Sequence, residues 1–266
     1  MSQKRGTRSA SHASPNRLAL NITTRQTAVW RISIRAGYGL FAWIALLIWG
    51  LPALVLVSVV PGRSLRRRLT HWLAVLYFLS IGSPIRVLGR VRMPEGACVV
   101  VANHASYLDG IILTAALPPS FTFVIKREMA HFPLAGFLLR RIGSEFVDRT
   151  DHNHRKRTTR RLFKAARSGD ALAFFPEGTF TPEPGLRPFK NGAFRAAWQS
   201  RLPLVPIAIR GARAKLPAES WLPAPGALEI EICEPIDPNA HESAAALMTA
   251  ARRALLQKLD EPDLDA

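Results

Sequence analysis

The sequence predicts an α/β domain, built on a mostly parallel mixed sheet flanked by helices, that follows an N-terminal apolar helical hairpin. Three observations lead to this prediction. From about residue 91, short strand-like runs alternate with helical stretches, a pattern typical of parallel sheets. Two long uncharged runs, 36–62 and 69–85, precede that alternation. Basic residues are concentrated around these two runs.

Composition and charge narrow the class of protein. A 266-residue chain with 48% hydrophobic and 21% charged residues is not disordered, collagen-like or a disulfide scaffold. Its two cysteines, Cys98 and Cys233, lie in apolar runs and are predicted to be buried, reduced thiols in a cytoplasmic environment. Residues 1–94 carry fourteen Lys or Arg and no acid, whereas 95–266 carry 22 basic and 19 acidic residues. Because the excess brackets apolar segments, it indicates a membrane partner rather than nucleic acid.

The order of segments predicts three parts: a basic, disordered tail at 1–35, a membrane-associated hairpin at 36–92 and a catalytic domain at 93–266. The uncharged run 36–62 exceeds the roughly 20 apolar residues that cross a bilayer. Arginines precede and follow it, and such residues prefer the cytoplasmic side. A hairpin bent near Pro52 and dipping into one leaflet satisfies both groups. A transmembrane helix at 37–60, followed by a buried core helix, remains the alternative.

Strands and helices are predicted in alternation along the domain. The predicted strands are Ala97–Ala102, Phe121–Ile125, Ser144–Val147, Ala171–Phe175, Leu204–Ile209 and Leu228–Ile232. The predicted helices lie near 107–117, 134–142, 152–168, 190–200 and 242–259. Segments rich in Pro and Gly, at 182–188 and 217–226, are predicted loops.

The first candidate site is the segment NHASYLD at 103–109, directly after the strand-like run ACVVVA. Ligands of open α/β sheets bind at the carboxyl ends of strands, where His104 is predicted to lie. On one continuous helix, His104 and Asp109 would point about 140° apart. They can meet only if the helix begins between them, and Ser106 is a suitable N-cap for such a start. Asp109 is three residues further on, so it could alternatively be only a helix-capping acid.

Three further segments carry candidate residues. FPEGTF at 175–180 places Glu177 on a turn after a strand, where it could bind an acceptor hydroxyl, and Gly178 would allow a close approach to the backbone. GSEFVDR at 143–149 places Arg149 at a strand end, which suits phosphate recognition. LVPIAIRG at 204–211 reads as a buried strand with an unusual Pro206. The alternatives are a plain strand-terminating turn for the first segment and a solvated or lipid-facing basic surface after the second.

Taken in order, NHASYLD, GSEFVDR, FPEGTF and LVPIAIRG resemble the four motifs of the 1-acylglycerol-3-phosphate acyltransferase family, over about residues 90–236. The resemblance implies the family's fold, with His104 as general base and Asp109 as its orienting partner. It also implies further roles for other residues. These are acceptor binding by Arg149, Glu177, Gly178 and Thr179, and a place for Pro206 on the donor side. Lys126, Arg187 and Lys190 are further candidates for contacts to a phosphate or to the donor.

The implied reaction is transfer of a fatty acyl group from a thioester to the free hydroxyl of a lyso-glycerolipid, with 1-acylglycerol-3-phosphate as the expected acceptor. The base removes the hydroxyl proton as the alcohol attacks, and backbone N–H groups near the helix start could stabilise the oxyanion. No metal or cofactor is expected beyond the co-substrate, acyl-CoA or acyl carrier protein. The expected location is the cytoplasmic face of a membrane, such as a bacterial inner membrane. Phe180 stands where the family often has Arg, so a lyso-ornithine lipid or another lysophospholipid is an alternative acceptor.

Other classes fit less well. A lipase would need the pattern G-x-S-x-G, and a P-loop enzyme G-x-x-x-x-G-K-[ST]; the sequence has neither. His152 and His154 beside Asp151 have no neighbouring ligands in sequence, so a helix start is expected there rather than a metal site. The alternative from another class is a non-catalytic lipid-binding homologue, but such a protein has no need of a base and an orienting acid.

Overall fold

The computed structural model describes residues 15–147 and 170–265, with side chains from Ser33 onward. Two antiparallel-packed helices come first: α1 (Pro15–Val59) and α2 (Arg63–Ser80). The chain reverses at residues 60–62, where Pro61 cannot continue the helix and Gly62 adopts a positive φ of 80°. Pro52 lies inside α1, so the predicted reversal near Pro52 was wrong. Part of the segment 1–35, predicted as a disordered tail, belongs to α1.

A seven-stranded mixed sheet forms the centre of the domain. Its strands are β1 (Ile85–Leu88), β2 (Val99–Ala102), β3 (Phe121–Lys126), β4 (Glu145–Val147), β5 (Ala171–Phe174), β6 (Leu204–Arg210) and β7 (Leu228–Ile232). The order across the sheet is β1-β7-β6-β2-β5-β3-β4, and every neighbouring pair is parallel except β6 with β7. The mostly parallel mixed sheet and all six predicted strands are therefore confirmed. The sequence missed β1, which lies within the segment 36–92 assigned to the hairpin.

The remaining helices connect these strands. They are α3 (Asp109–Ala116), α4 (Pro133–Arg141), α5 (Gly192–Ser200), the single turn α6 (Ala212–Lys215) and α7 (Ala244–Leu256). Helices were predicted at four of these five places. The helix predicted at 152–168 lies outside the described residues. Short 3-10 turns occupy Arg90–Arg92, Arg127–His131 and Pro238–Ala240.

Alternate side chains of the central strand β2 face the two sides of the sheet. Val100 and Ala102 belong to the apolar core that includes α1, α2 and α3, whereas Val99 and Val101 belong to the core shared with α5 and α7. All four side chains are buried. A strand covered by helices on both faces explains the continuous apolar run that precedes His104.

Helix α1 is only partly covered by the rest of the protein. Small residues such as Ala42 and Ala45 face the core. Over Ser33–Val59 the helix is long and apolar enough to cross a membrane. Its other face exposes large apolar side chains, namely Leu40, Phe41, Ile44, Leu47, Ile48, Leu51, Val55 and Val59. These features agree with the predicted contact to lipid.

The sequence predicted the arginine cluster between the two helices to lie at the membrane surface. In the structure the cluster is partly buried. Arg67 is buried, and its guanidinium donates to Asp170 and to backbone carbonyls of the domain. Arg63 forms an ion pair with Asp170, 3.1 Å away. Arg66 donates to backbone carbonyls at the end of α1 and at the end of α4. The cluster therefore fastens the hairpin to the domain, because buried carbonyls and a carboxylate need donors.

Candidate active site

His104 and Asp109 meet at the carboxyl edge of the sheet. His104 follows β2, and Asp109 is the first residue of α3. The His104 Nδ1 atom lies 2.8 Å from Asp109 Oδ2, so Nδ1 carries the proton and donates to the carboxylate. Nε2 is then the ring nitrogen that can accept a proton. The Asp109 side chain is buried, whereas that of His104 is 20% exposed. The predicted pairing is present, and the helix begins between the two residues as required.

Asp109 also organises the loop that carries His104. Its Oδ2 atom accepts hydrogen bonds from the backbone N–H groups of Ala105, at 2.7 Å, and Ser106, at 2.8 Å. The bond from Ser106 is the capping arrangement that the sequence offered as the alternative, so Asp109 fills both roles. Because the Ala105 and Ser106 N–H groups are engaged by a carboxylate, these two are not the oxyanion donors expected near the helix start.

Two polar side chains of the same segment fasten the loop to neighbouring elements. Asn103 is buried and makes two hydrogen bonds to the backbone of Ile209 in β6: Oδ1 accepts from the N–H and Nδ2 donates to the carbonyl. Ser106 Oγ donates to the carbonyl of Leu216 and accepts from the Leu108 N–H. Each loop residue thus has a definite partner, and the imidazole is held by a rigid backbone.

Aromatic side chains surround the imidazole. Phe175 stacks on the His104 ring, with centroids 4.4 Å apart and planes inclined by 21°. Phe180 meets the same ring edge-on at 4.7 Å, and Tyr107 packs edge-on against Phe180. Sequence reasoning missed Phe175, although it is one of two adjacent phenylalanines at the end of a strand, where alternate side chains face opposite sides.

Glu177 lies beside this site but does not point into open space. The residue is buried, its Oε1 accepts from the His104 N–H at 2.6 Å, and its Oε2 accepts from the Arg187 N–H at 2.9 Å. Burial raises the pKa of Glu177 to about 7, against the opposing effect of these two hydrogen bonds. Sequence reasoning expected Glu177 to bind the acceptor hydroxyl; the structure shows both carboxylate oxygens holding backbone, on the loop of His104 and on the segment of Arg187.

The other candidate residues are spread around the same edge of the sheet. Gly178 has a positive φ of 75°, which permits the tight turn after β5. Thr179 is exposed on that turn, and the N–H of Lys190 donates to the Pro176 carbonyl, so the segment 187–190 lies along it. Arg187 also donates from its guanidinium to Thr181, at 3.4 Å.

Two candidates lie further from the histidine and one cannot be placed. Lys126 ends β3, two strands from β2, and forms an exposed ion pair with Glu128. Pro206 is buried within β6, opposite Val101 of β2. Arg149 and the histidines at 152 and 154 lie outside the described residues. The structure therefore brings His104, Asp109 and the turn of Glu177 together, with Lys126 and Pro206 in separate positions.

The described residues offer no cluster of three or more His, Cys, Asp or Glu side chains that could hold a metal ion. The two cysteines are free and buried. Burial raises the pKa of Cys98 to about 12 and that of Cys233 to about 11, so both remain protonated thiols near neutral pH. Neither is placed to act as a nucleophile beside His104.

Comparison with known proteins identifies the fold and the family of this chain. A family model described as Acyltransferase matches residues 84–210. The chain is 34% identical over 187 residues to the lyso-ornithine lipid O-acyltransferase of Pseudomonas aeruginosa. The aligned residues cover 69% of this chain and 67% of that protein. It is 30% identical over 231 residues to a 1-acyl-sn-glycerol-3-phosphate acyltransferase of Chlamydomonas reinhardtii, covering 82% and 68%, respectively.

Two matches of lower sequence identity are also acyltransferases. The Saccharomyces cerevisiae 1-acyl-sn-glycerol-3-phosphate acyltransferase is 27% identical over 190 residues, which cover 68% of this chain but only 63% of the yeast protein. The crystal structure of the 1-acyl-sn-glycerophosphate acyltransferase PlsC from Thermotoga maritima superposes with a TM-score of 0.70, covering 86% of this chain and 94% of that one, at 22% identity. This last match establishes the fold. The protein is thus an α/β protein, and the contact between His104 and Asp109 marks a candidate active site at the carboxyl edge of its sheet. The chain belongs to the acyltransferase family.

Proposed function

We propose that the protein transfers a fatty acyl group from an acyl thioester to the free hydroxyl of a lyso-glycerolipid. The carrying observation is the 2.8 Å contact between His104 Nδ1 and Asp109 Oδ2 at the carboxyl edge of the sheet. Relatives whose names state such reactions, at 30% and 34% identity, support the assignment. The proposed principal acceptor is 1-acylglycerol-3-phosphate, which would give phosphatidate.

In the proposed mechanism His104 acts as the general base. Asp109 holds the proton on Nδ1, so Nε2 can take the proton of the acceptor hydroxyl as its oxygen attacks the thioester carbonyl. The carboxylate then stabilises the imidazolium, which returns its proton to the leaving thiolate. Removing a proton as attack proceeds contributes about 10²–10⁴-fold to the rate in such sites. The chain's own residues thus supply the base, its orientation and an apolar enclosure.

A second acceptor class is supported by Phe180. In this position the ring packs on both His104 and Tyr107, so the wall of the site nearest the base is aromatic and uncharged. A zwitterionic or uncharged head group, as in a lyso-ornithine lipid or lysophosphatidylcholine, needs no guanidinium at this point. Arg187 and Lys190, which flank the turn, and Lys126 at the end of β3 are the proposed contacts for a phosphate or for the donor.

The substrates point to a membrane as the place of action, and α1 supplies the proposed attachment. Its exposed apolar face would contact lipid on the cytoplasmic side, as for a bacterial inner membrane, with acyl-CoA or acyl carrier protein delivering the acyl group. Deleting residues 1–92 would not test this cleanly, because the deletion removes β1 and the buried side chains Tyr77 and Phe78 of α2. Polar substitution of exposed residues of α1, such as Leu40 and Ile44, is the better variant.

One assay tests the reaction and its acceptor together. Purified protein is incubated with a labelled acyl thioester and a panel of lyso-lipids, and the product is identified by mass. We expect acyl transfer to 1-acylglycerol-3-phosphate or to one of the alternative lyso-lipids. The His104→Ala variant should lose this activity by about 10²–10⁴-fold while keeping its fold and its binding to vesicles. Full activity of that variant would refute the assignment of the base.

A further inference from the structure

A second exposed apolar feature lies outside α1, on the loop at residues 217–223 that follows α6. Trp221 at its tip is 81% exposed and the adjacent Leu222 is 46% exposed. Trp221 is one of the largest apolar side chains of the described protein, and its position leaves most of the indole in solvent. Tryptophan is enriched where a protein meets the interface between lipid head groups and water.

This loop is rigid despite its exposure. The Ala224 N–H donates to the Lys215 carbonyl at 2.7 Å and closes the loop at its base. Ser220 Oγ donates to the Leu222 carbonyl and accepts from the Leu222 N–H. Because hydrogen bonds fix the backbone of the loop, the exposure of Trp221 follows from the fold and not from loop flexibility.

A buried ammonium group ties the same loop to the hairpin. Lys215 is fully buried, and its Nζ donates to Ser83 Oγ at 2.6 Å, to Tyr38 Oη at 3.0 Å and to the carbonyls of Ala224 and Gly226. Tyr38 belongs to α1, and Ser83 lies between α2 and β1. A buried polar group without partners is costly, but the three N–H donors of this one are shared among four oxygen acceptors from three segments. The loop therefore keeps a fixed position relative to α1.

Direct contacts join the loop to the apolar face of α1. Trp43 Nε1 donates to the Trp221 carbonyl at 2.6 Å. Gly39 lies so close to Leu222 that a Cβ atom at this position would stand 2.9 Å from the Leu222 Cβ. Neighbouring residues of α1, including Leu40 and Ile44, are exposed. The loop thus extends the apolar surface of the hairpin onto the catalytic domain.

We propose that the loop at 217–223 is a second membrane-contact element, in which Trp221 and Leu222 enter the interface of a lipid bilayer beside α1. This inference rests on the proposed membrane attachment of α1. Its consequence concerns the active site: the residue before the loop, Leu216, accepts the hydrogen bond from Ser106 in the loop of His104. Contact of Trp221 with lipid therefore fixes the catalytic loop at a set distance from the membrane surface, where the acceptor lipid resides.

Site-directed labelling tests the contact. Trp221→Cys is labelled with an environment-sensitive fluorophore; Cys98 and Cys233 are buried and react poorly by comparison. The matched control is Val91→Cys, at a residue 94% exposed on the 3-10 turn after β1. On addition of vesicles of phosphatidylethanolamine and phosphatidylglycerol, we expect a blue shift and increased emission at 221 and neither at 91. Unchanged emission at 221 while the protein sediments with the vesicles would overturn this inference alone. Failure to sediment at all would overturn the membrane attachment itself, and with it this inference.

A substitution series measures the contribution of the loop. Trp221→Ser retains the backbone carbonyl that accepts from Trp43, so the loop keeps its anchor. We expect about tenfold weaker binding to the same vesicles, which corresponds to about 1.4 kcal/mol of binding free energy. Leu264→Ser, at another exposed apolar residue, should bind as the unaltered protein does. Transfer to a water-soluble short-chain acceptor should not change in Trp221→Ser, whereas transfer to an acceptor embedded in vesicles should fall with binding. Equal vesicle binding of Trp221→Ser and Leu264→Ser would contradict the proposal.

Discussion

Two buried carboxylates, those of Asp109 and Glu177, lie at the same edge of the sheet and accept hydrogen bonds from different groups. Asp109 binds the imidazole of His104 and two backbone N–H groups through a single oxygen, Oδ2. Glu177 binds only backbone, with one oxygen on the His104 N–H and the other on the Arg187 N–H. Asp109 therefore sets the tautomer of His104, the proposed base, whereas Glu177 sets the positions of the segments on either side of it. A buried carboxylate near a proposed catalytic histidine is thus not by itself evidence that the carboxylate takes part in the reaction.

Replacement of Asp109 by Asn is the sharpest way to test this difference, and it carries the largest expected effect. The amide oxygen of Asn can still accept from the Ala105 and Ser106 N–H groups, so the loop and the start of α3 should persist. The same oxygen would face His104 Nδ1, because Oδ2 contacts all three donors, so a neutral amide keeps the tautomer but no longer stabilises the imidazolium that forms during the reaction. We expect kcat to fall about 10³-fold with little change in Tm. Activity within about tenfold of the unaltered protein would show that Asp109 is only a capping residue.

Glu177→Gln should lower mainly the stability of the protein, because Glu177 binds only backbone groups. One end of the Gln amide is a donor, so either the His104 or the Arg187 N–H loses its acceptor and is left buried. A buried donor without a partner costs about 1–3 kcal/mol, which should appear as a lower free energy of unfolding. We expect kcat to fall only about tenfold, through displacement of the His104 loop.

Glu261→Gln is the matched control for that variant. Glu261 also accepts from a backbone N–H, that of Gly185, and its partner is Arg213 rather than the loop of His104. It should lose a similar amount of stability without the loss of kcat per folded molecule. A Glu177→Gln variant that behaved like Glu261→Gln in both measurements would show that Glu177 does not position the base.

Most of the fold could be predicted from the sequence, because local patterns of apolar, uncharged and turn residues indicate most of its strands and helices. Strand-like runs flanked by turn residues gave six of the seven strands, and the two uncharged runs gave the paired helices. β1 was missed because its four residues, IRVL, alternate too briefly to stand out beside the apolar run of α2. The reversal of the hairpin was misplaced because Pro52 was expected to break a helix that in fact continues through it, while Pro61 and Gly62 make the turn.

In the candidate site, only the contacts between residues close together in the sequence could be predicted. His104 and Asp109 are five residues apart, so a helix start between them was enough to predict their contact. Glu177 reaches the His104 backbone across 73 positions, and no local pattern distinguishes a carboxylate that binds backbone from one that binds a substrate. The same holds for the buried Arg67, which sequence reasoning placed at the membrane surface among its neighbouring arginines. Long-range acceptors, rather than propensity, decided those positions.

The stability of the protein should depend on pH through Glu177. Burial raises the pKa of Glu177 to about 7, from an ordinary value of 4.5. The folded state then binds the proton more tightly than the unfolded state, so the stabilising contribution is complete below about pH 4.5 and is lost as pH rises through about 7. Urea unfolding in detergent between pH 5 and 8 should show the unaltered protein losing up to about 3 kcal/mol relative to Glu177→Gln. Parallel profiles for the two proteins would contradict a raised pKa.

The smallest expected effect concerns the acceptor and is confined to the aromatic wall of the site. Phe180→Arg places a guanidinium beside His104, where it can form charge-assisted hydrogen bonds to a phosphate head group. We expect the ratio of kcat/KM for a phosphate-bearing acceptor to that for a zwitterionic one to rise about five- to tenfold. Phe180→Leu keeps an uncharged wall and should leave the ratio unchanged, although loss of the ring contacts to His104 and Tyr107 lowers both rates together. An unchanged ratio in Phe180→Arg would mean that the head group is recognised elsewhere, with Arg187 and Lys190 as the next residues to replace.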